Sequence, residues 1–171
     1  GAIVTNDSVL AEKCRMISNH GRLTKYSHEF EGRNSRLDGL QAAILSVKLK
    51  YLDAWIQSRN LIASTYSGEL QGIGDIILPK QQEWARHAYH LYVIRTRDRD
   101  NLKKYLDKEG VQTGIHYPVA LPKLPAYEYL DAIGDGFLAN TFDEHLLSLP
   151  IGEHLRSADS VEFVARIKNF Y

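Results

Sequence analysis

Apolar residues recur at helical spacing in two places near the start of the chain. Leu10, Cys14 and Ile17 mark one face of a helix that follows "TNDS", where Asp7 or Asn6 supplies the cap, and Gly21 in "NHG" is placed to take the positive φ of a helix end. Ahead of it, "AIVT" at 2–5 is an apolar, β-branched run with no preceding turn, so it predicts a strand that starts inside a sheet and a chain that is the later part of a longer polypeptide. Residues 22–36 are polar, charged and aromatic without a steady period, which predicts a long exposed loop. From Leu37 to about Leu70 the three-and-four spacing returns through Leu40, Ile44, Val47, Tyr51, Ile62 and Tyr66. That predicts a helix longer than usual, bridging two structural units or bending between them.

Beyond the glycines of "GELQGIGDIILPK" (68–80) the pattern changes character. "HAYHLYVIRT" (87–96) reads as a strand, "DRDNLKKYLDKEG" (98–110) as a helix, and "VQTGIHYP" (111–118) as a second strand closed by Pro118. "KLPAYEYL" predicts a short helix and 134–145 another; "LLSLPI" is extended, and 158–171 is a terminal helix with Val161, Val164 and Ile167 toward the core. The expected fold class is α/β: residues 1–67 as part of one α/β layer with the bridging helix, and 68–171 as a smaller α/β domain.

Composition narrows the partners. With 21 basic and 21 acidic residues among 171 the formal net charge is zero, so neither nucleic acid nor an anionic membrane is an expected partner, and any anion is held locally. The single Cys14 cannot form an internal disulfide, and no apolar run approaches the roughly 18 residues of a membrane span. The chain reads as cytoplasmic.

Local chemistry gathers in "EGRNSRLDGLQAAIL" (31–45). Gly32 permits close backbone approach or a positive φ, Asn34 offers a donor and an acceptor, Arg36 brings a guanidinium fork, and the following helix presents free N–H groups. Together they suit a phosphate or a carboxylate. The same spacing also admits Ser35 or Asn34 as a helix cap and Arg36 paired on the surface with Asp38 or Glu31. His116 and Tyr117 in "GIHYP" are a second candidate, one buried and one toward a cleft, or simply packed. His87 and His90 fall on opposite strand faces with no accompanying ligand pattern, so no metal site is expected. Tyr26, Phe30, Tyr127 and Tyr129 suit a stacking surface or an interface, while Trp55 and Trp84 suit core or interface packing. No phosphate loop, dinucleotide fingerprint or nucleophile elbow is present, so the residues alone describe an α/β module with one anion site and no complete catalytic set.

"GAIVTND", "NHG", "GRNSRLDGLQAAIL", "HLYVIRT", "GIHYP" and "LPAY" occur in the order found in the pyridoxal-phosphate-dependent nucleotide-sugar aminotransferases of the DegT/DnrJ/EryC1/StrS family, which the chain resembles over essentially its whole length. The resemblance implies the C-terminal portion of the aspartate-aminotransferase-like fold, part of the large domain plus the small one. It also implies pyridoxal 5'-phosphate as cofactor and a homodimer with shared active sites. It assigns Asn34 to the cofactor phosphate in the partner subunit's site, and Arg36, Tyr26, His116 and Tyr117 to the substrate pocket. Relatives continue from "HYP" to a further His, whereas this chain reads Val119, Ala120, Leu121, Pro122.

The Schiff-base lysine, the ring-stacking aromatic and the Asp facing the pyridine nitrogen would lie upstream of residue 1. Lys25 is not assigned that role, no catalytic residue is expected in this chain, and the isolated fragment is expected to be inactive. The implied reaction moves the amino group of L-glutamate to a dTDP-linked keto-6-deoxy sugar, 3-keto favoured over 4-keto. The competing reading is a non-catalytic sugar-nucleotide-binding or dimerisation module of the same fold.

Overall fold

The Asp7 carboxylate accepts hydrogen bonds from the Val9 and Leu10 amides at 2.9 and 3.0 Å and so starts α1, Ser8–Ser18, in the computed structural model. The structure describes residues 1–130 and 136–171, which gather into two units, 1–50 and 51–171.

In the first unit α1 ends where His20 and Gly21 both take positive φ and the Gly21 amide donates to the Met16 carbonyl at 2.7 Å. The stretch expected to be a long exposed loop is mostly exposed, and part of it is paired. β1 (Arg22–Thr24) and β2 (Ser27–His28) form an antiparallel hairpin, and the chain then returns beside the end of α1. There the Arg33 amide donates to Ile17, the His20 amide to Arg33 and the Ser35 amide to Ser18, at 2.7, 2.9 and 2.8 Å. Pieces this short carry no legible period, so only the backbone bonds reveal them. α2 (Gly39–Leu49) is capped by Asp38, whose side chain accepts from Leu40 at 2.8 Å, and it buries none of its residues.

Residues 2–5 form no strand, and Val4 is 92% exposed. An apolar, β-branched run becomes a strand only against a ladder partner, and none of the described residues pairs with this one.

The long helix predicted from Leu37 is interrupted at Lys50–Tyr51, and α3 (Leu52–Glu69) belongs to the second unit. The compact units divide at 50/51, and Ile62, Ala63 and Tyr66 of α3 are buried in the second unit's core. β3 (Tyr92–Arg95) pairs antiparallel with β4 (Leu146–Leu149), Tyr92 opposite Leu149 and Arg95 opposite Leu146. Ile77 adds one bridge outside Arg95, and Gly114 one outside Ser148. The strand expected over 111–118 is reduced to that single bridge. The strand expected over 87–96 is shortened at its start, where Tyr89 takes a positive φ and its amide donates to His87 Nδ1 at 2.8 Å.

α4 (Arg99–Lys108) turns Leu102 and Leu106, one helical turn apart, inward. α6 (Ser157–Phe170) packs on α3 through Val164 and Ile167, with Ser160 completing the buried stripe while Val161 is 58% exposed. The small Ser160 fits because its hydroxyl donates to the Ser157 carbonyl at 2.6 Å and leaves no bare polar atom inside. "KLPAYEYL" forms a 3₁₀ turn, Pro125–Leu130, just after another at Leu121–Lys123, and α5 covers only Ala139–Phe142 of the helix predicted for 134–145, whose first two residues lie outside the described ones. Trp84, 87% exposed, is not a core residue, whereas Trp55 stacks on Tyr51 with ring centroids 5.9 Å apart.

Arg59 of α3 fixes the two segments flanking the sheet. One guanidinium nitrogen donates to the Tyr89 and His90 carbonyls, both at 3.2 Å, and the other to Glu153 at 2.8 Å. No described helix is long and apolar enough to cross a membrane.

Candidate functional site

Two glycines set the geometry of the candidate anion grip. A Cβ at Gly32 would collide with the backbone of His20 and Gly21, and one at Gly21 with the Phe30 carbonyl. The bare backbone of Gly32 is thus used against the chain itself, where the sequence also allowed an approach to a ligand. This crossing sets the start of the return segment, and the Asn19–Asn34 bridge holds its backbone at Asn34.

From that brace the Asn34 and Arg36 side chains both reach the surface. Arg36 Nε donates to Asn34 Oδ1 at 3.0 Å, so Arg36 pairs with neither Asp38 nor Glu31. Among the described residues the Asn34 Nδ2 amide and the two terminal nitrogens of Arg36 have no hydrogen-bond partner. The free N–H groups expected at the start of α2 are partly taken, since the Asp38 carboxylate already sits there. The candidate grip therefore offers an amide donor and a guanidinium ahead of a helix start whose Leu40 amide is already bonded. Tyr26 lies in the β1–β2 turn, 83% exposed, with Lys25 Nζ 5.3 Å from its ring centroid.

His116 and Tyr117 belong to the second unit, His116 half-buried and Tyr117 exposed. His116 Nδ1 lies 2.9 Å from Oγ of the buried Ser148, and because Gly114 lacks a Cβ the imidazole fits over its backbone. Tyr117 is 71% exposed and meets the His116 ring edge-on at 5.5 Å. It forms part of the wall of an apolar groove of about 880 Å³ that also takes in Val119, Leu121, Leu124, Phe142 and Leu146. Arg95 stacks over Phe142 there, its guanidinium carbon 4.0 Å from the ring centroid. The departure from the "HYP…His" pattern at 119–122 thus supplies groove lining.

Sequence reading missed the group that ties this groove together. Asp143, buried, accepts from the Ala120 amide at 3.0 Å through one carboxylate oxygen and from Lys123 Nζ at 2.9 Å through the other. Lys123 and Asp143 are too far apart in the chain for any local spacing rule to pair them. The lysine hydrogen bond, then the Ala120 amide, holds the carboxyl below its ordinary value of 3.8. A depressed folded-state value means that its contribution to stability is fully present above the unfolded value and lost as pH falls through the folded one. Comparing wild type with Asp143→Asn by denaturation at a series of pH values should therefore show a constant wild-type advantage from pH 7 down toward about 4, shrinking below it. A gap that does not narrow in acid would mean the ion pair contributes nothing.

The chain as a whole is similar to known proteins. A protein of Saccharopolyspora erythraea named erythromycin biosynthesis sensory transduction protein EryC1 is 44% identical over 169 residues, covering 98% of this chain and 46% of that protein. A dTDP-3-amino-3,4,6-trideoxy-alpha-D-glucose transaminase of Streptomyces venezuelae is 41% identical over 172 residues, covering 99% of this chain and 45% of the relative. Among solved structures, S. venezuelae DesV in complex with a ketimine intermediate superposes with a TM-score of 0.91 at 40% identity, over 98% of this chain and 45% of that one. NtdA of Bacillus subtilis, solved with bound PMP (the amine form of the cofactor), gives 0.79 at 31% identity over 96% of this chain and 41% of that one. The chain spans less than half the length of these relatives. The family profile matches residues 1–168, and the chain belongs to the DegT/DnrJ/EryC1/StrS aminotransferase family.

Proposed function

We propose that this chain is the cofactor-gripping and substrate-facing C-terminal part of a pyridoxal-phosphate-dependent aminotransferase that transfers the amino group of L-glutamate to a dTDP-linked keto-6-deoxy sugar, with a 3-keto sugar favoured over a 4-keto one. The carrying observation is Asn34: an amide with unpartnered donors, held out from a loop braced to α1 by backbone hydrogen bonds, in a chain that matches an aminotransferase family nearly end to end. The residues present suit the cofactor phosphate, an acceptor-only dianion, because the site offers an amide N–H and a cation from a rigid turn. The name of the 41% identical dTDP-sugar transaminase supports the dTDP-linked, C3-aminated class, and the PMP in NtdA supports the cofactor.

Bound pyridoxal phosphate supplies the electron sink that amino transfer requires. This chain's share is binding and orientation. Asn34 donates to the phosphate of the partner subunit's cofactor in a homodimer. Arg36, Tyr26, His116 and Tyr117 face the sugar nucleotide and the amino donor, with Ser148 fixing the imidazole and the apolar groove receiving the deoxy face of the sugar. No lysine of this chain is assigned to the covalent step, so the segment alone is inactive. The rival reading, a binding or dimerisation module without activity, draws on the sensory name borne by EryC1.

The full-length polypeptide that carries this chain decides between them. The expected result is absorbance near roughly 410–430 nm that borohydride fixes as a covalent adduct, with glutamate-dependent amination of a dTDP-3-keto-6-deoxy sugar exceeding that of the 4-keto isomer. Absence of both band and adduct would turn Asn34 and His116 into parts of a binding module, and preference for the 4-keto isomer would move the assigned position of amination.

A further inference from the structure

Asn34 can grip a phosphate only if the correct end of its side chain points outward. The two ends of a carboxamide have nearly the same shape and opposite chemistry: Nδ2 donates two hydrogens, whereas Oδ1 only accepts and would repel a phosphate oxygen. The backbone of Asn34 is already fixed by its bridge to Asn19 and the flanking Arg33 and Ser35 hydrogen bonds, so the orientation of the amide is the freedom that remains. Arg36 stands two residues on from the bridged Asn34, the spacing that puts side chains of an extended chain on one face. Its Nε reaches Asn34 Oδ1 at 3.0 Å. A guanidinium has no acceptor, so it can hold only the oxygen end of the amide.

We infer that Arg36 is a positioning residue: by donating Nε–H to Asn34 Oδ1 it locks the carboxamide with Nδ2 turned outward, so that the amide meets the cofactor phosphate as a donor. This rests on the proposed phosphate role of Asn34 and adds a division of labour within Arg36. Nε serves Asn34, while the terminal nitrogens, unpartnered among the described residues, remain available to a second anion.

The test uses the full-length apoenzyme and two probes, pyridoxal phosphate and pyridoxal, whose dissociation constants are measured by absorbance titration in phosphate-free buffer. Their ratio isolates the phosphate contribution and is insensitive to general loosening of the site. Asn34→Ala should lower the ratio by about tenfold or more, the range expected for a hydrogen bond to a charged group. Arg36→Met should lower it by about three- to tenfold, and Arg36→Lys, which keeps the charge but lacks the fixed fork, should restore part of the loss. The double variant should be no worse than Asn34→Ala alone, because Arg36 acts through Asn34. Pyridoxal binding should stay within about twofold throughout.

Loss that multiplies in the double variant would make Arg36 an independent phosphate contact and overturn the inference while leaving Asn34 in place. An unchanged ratio in Arg36→Met, with Asn34→Ala impaired, would also overturn it. An unchanged ratio in Asn34→Ala would overturn the phosphate role itself and the inference with it. Equal weakening of both probes by Arg36→Met would reduce Arg36 to a structural residue.

Discussion

Replacing Tyr66 with alanine should destabilise the 51–171 unit by about 3–5 kcal/mol, while Tyr66→Phe should cost only about 1–3 kcal/mol. Tyr66 is fully buried on α3, its ring lies 5.1 Å from that of Tyr92, and its hydroxyl donates to the Pro150 carbonyl at 2.7 Å. The side chain therefore joins α3 to the end of β4 by packing and by one hydrogen bond. Alanine removes both and leaves a cavity lined by aromatic rings; phenylalanine keeps the ring but strips the Pro150 carbonyl of this donor. Burial, then the neighbouring Tyr92, pushes the Tyr66 hydroxyl well above its ordinary value of 10.0, so neither cost should vary with pH between 5 and 9. Urea denaturation followed by circular dichroism measures both variants. A Tyr66→Ala cost below about 1 kcal/mol would show that the α3 seam is not part of the cooperative core.

The contrast between Tyr66 and residues 2–5 shows what could be read in advance. Tyr66 lies on the three-and-four pattern that runs from Leu37 to about Leu70, and it is buried because the surface α3 packs against lies within the same unit. "AIVT" has equally strong β propensity but no ladder partner among the described residues, and propensity alone does not make a strand. The hairpin at 22–28 shows the reverse case. Its strands are too short to carry a period, and only the backbone pairing reveals them.

The candidate site was legible to a similar degree. Asn34, Arg36 and His116 could be singled out because chemistry that local is written in adjacent letters, and the family resemblance was carried by the same motifs. The partners that define their geometry were not: the carboxylate that serves Lys123 and the hydroxyl that serves His116 come from residues brought close only by the pairing of distant segments. Even within the motif the partner was unexpected, since Arg36 turns to Asn34 and the carboxylate two residues ahead serves as a helix cap.

Gly32→Ala should cost the full-length protein about 1–3 kcal/mol and at least tenfold in cofactor affinity, although Gly32 is not placed in contact with any ligand. The atoms that an added methyl would meet are the amide nitrogen of Gly21 and the carbonyl carbon of His20, so rotating a side chain cannot relieve the clash. The φ of Gly32 is outside the left-handed region, unlike that of Gly21, so the effect arises from contact and not from conformational preference. Gly68→Ala in α3 is the control. A methyl there points into open space within a helix, and it should stabilise by about 0.5–1 kcal/mol.

Hydrogen exchange separates the two causes of lost affinity. If Gly32 acts by holding the crossing shut, the His20, Arg33 and Ser35 amides, whose acceptors lie across it, should exchange faster in Gly32→Ala while amides in α3 and α6 are unchanged. Reduced affinity with unaltered exchange would instead require the alanine methyl to touch the ligand. The first outcome makes the glycine a spacer that sets where Asn34 stands, so that the motif's first residue acts on the phosphate through its third.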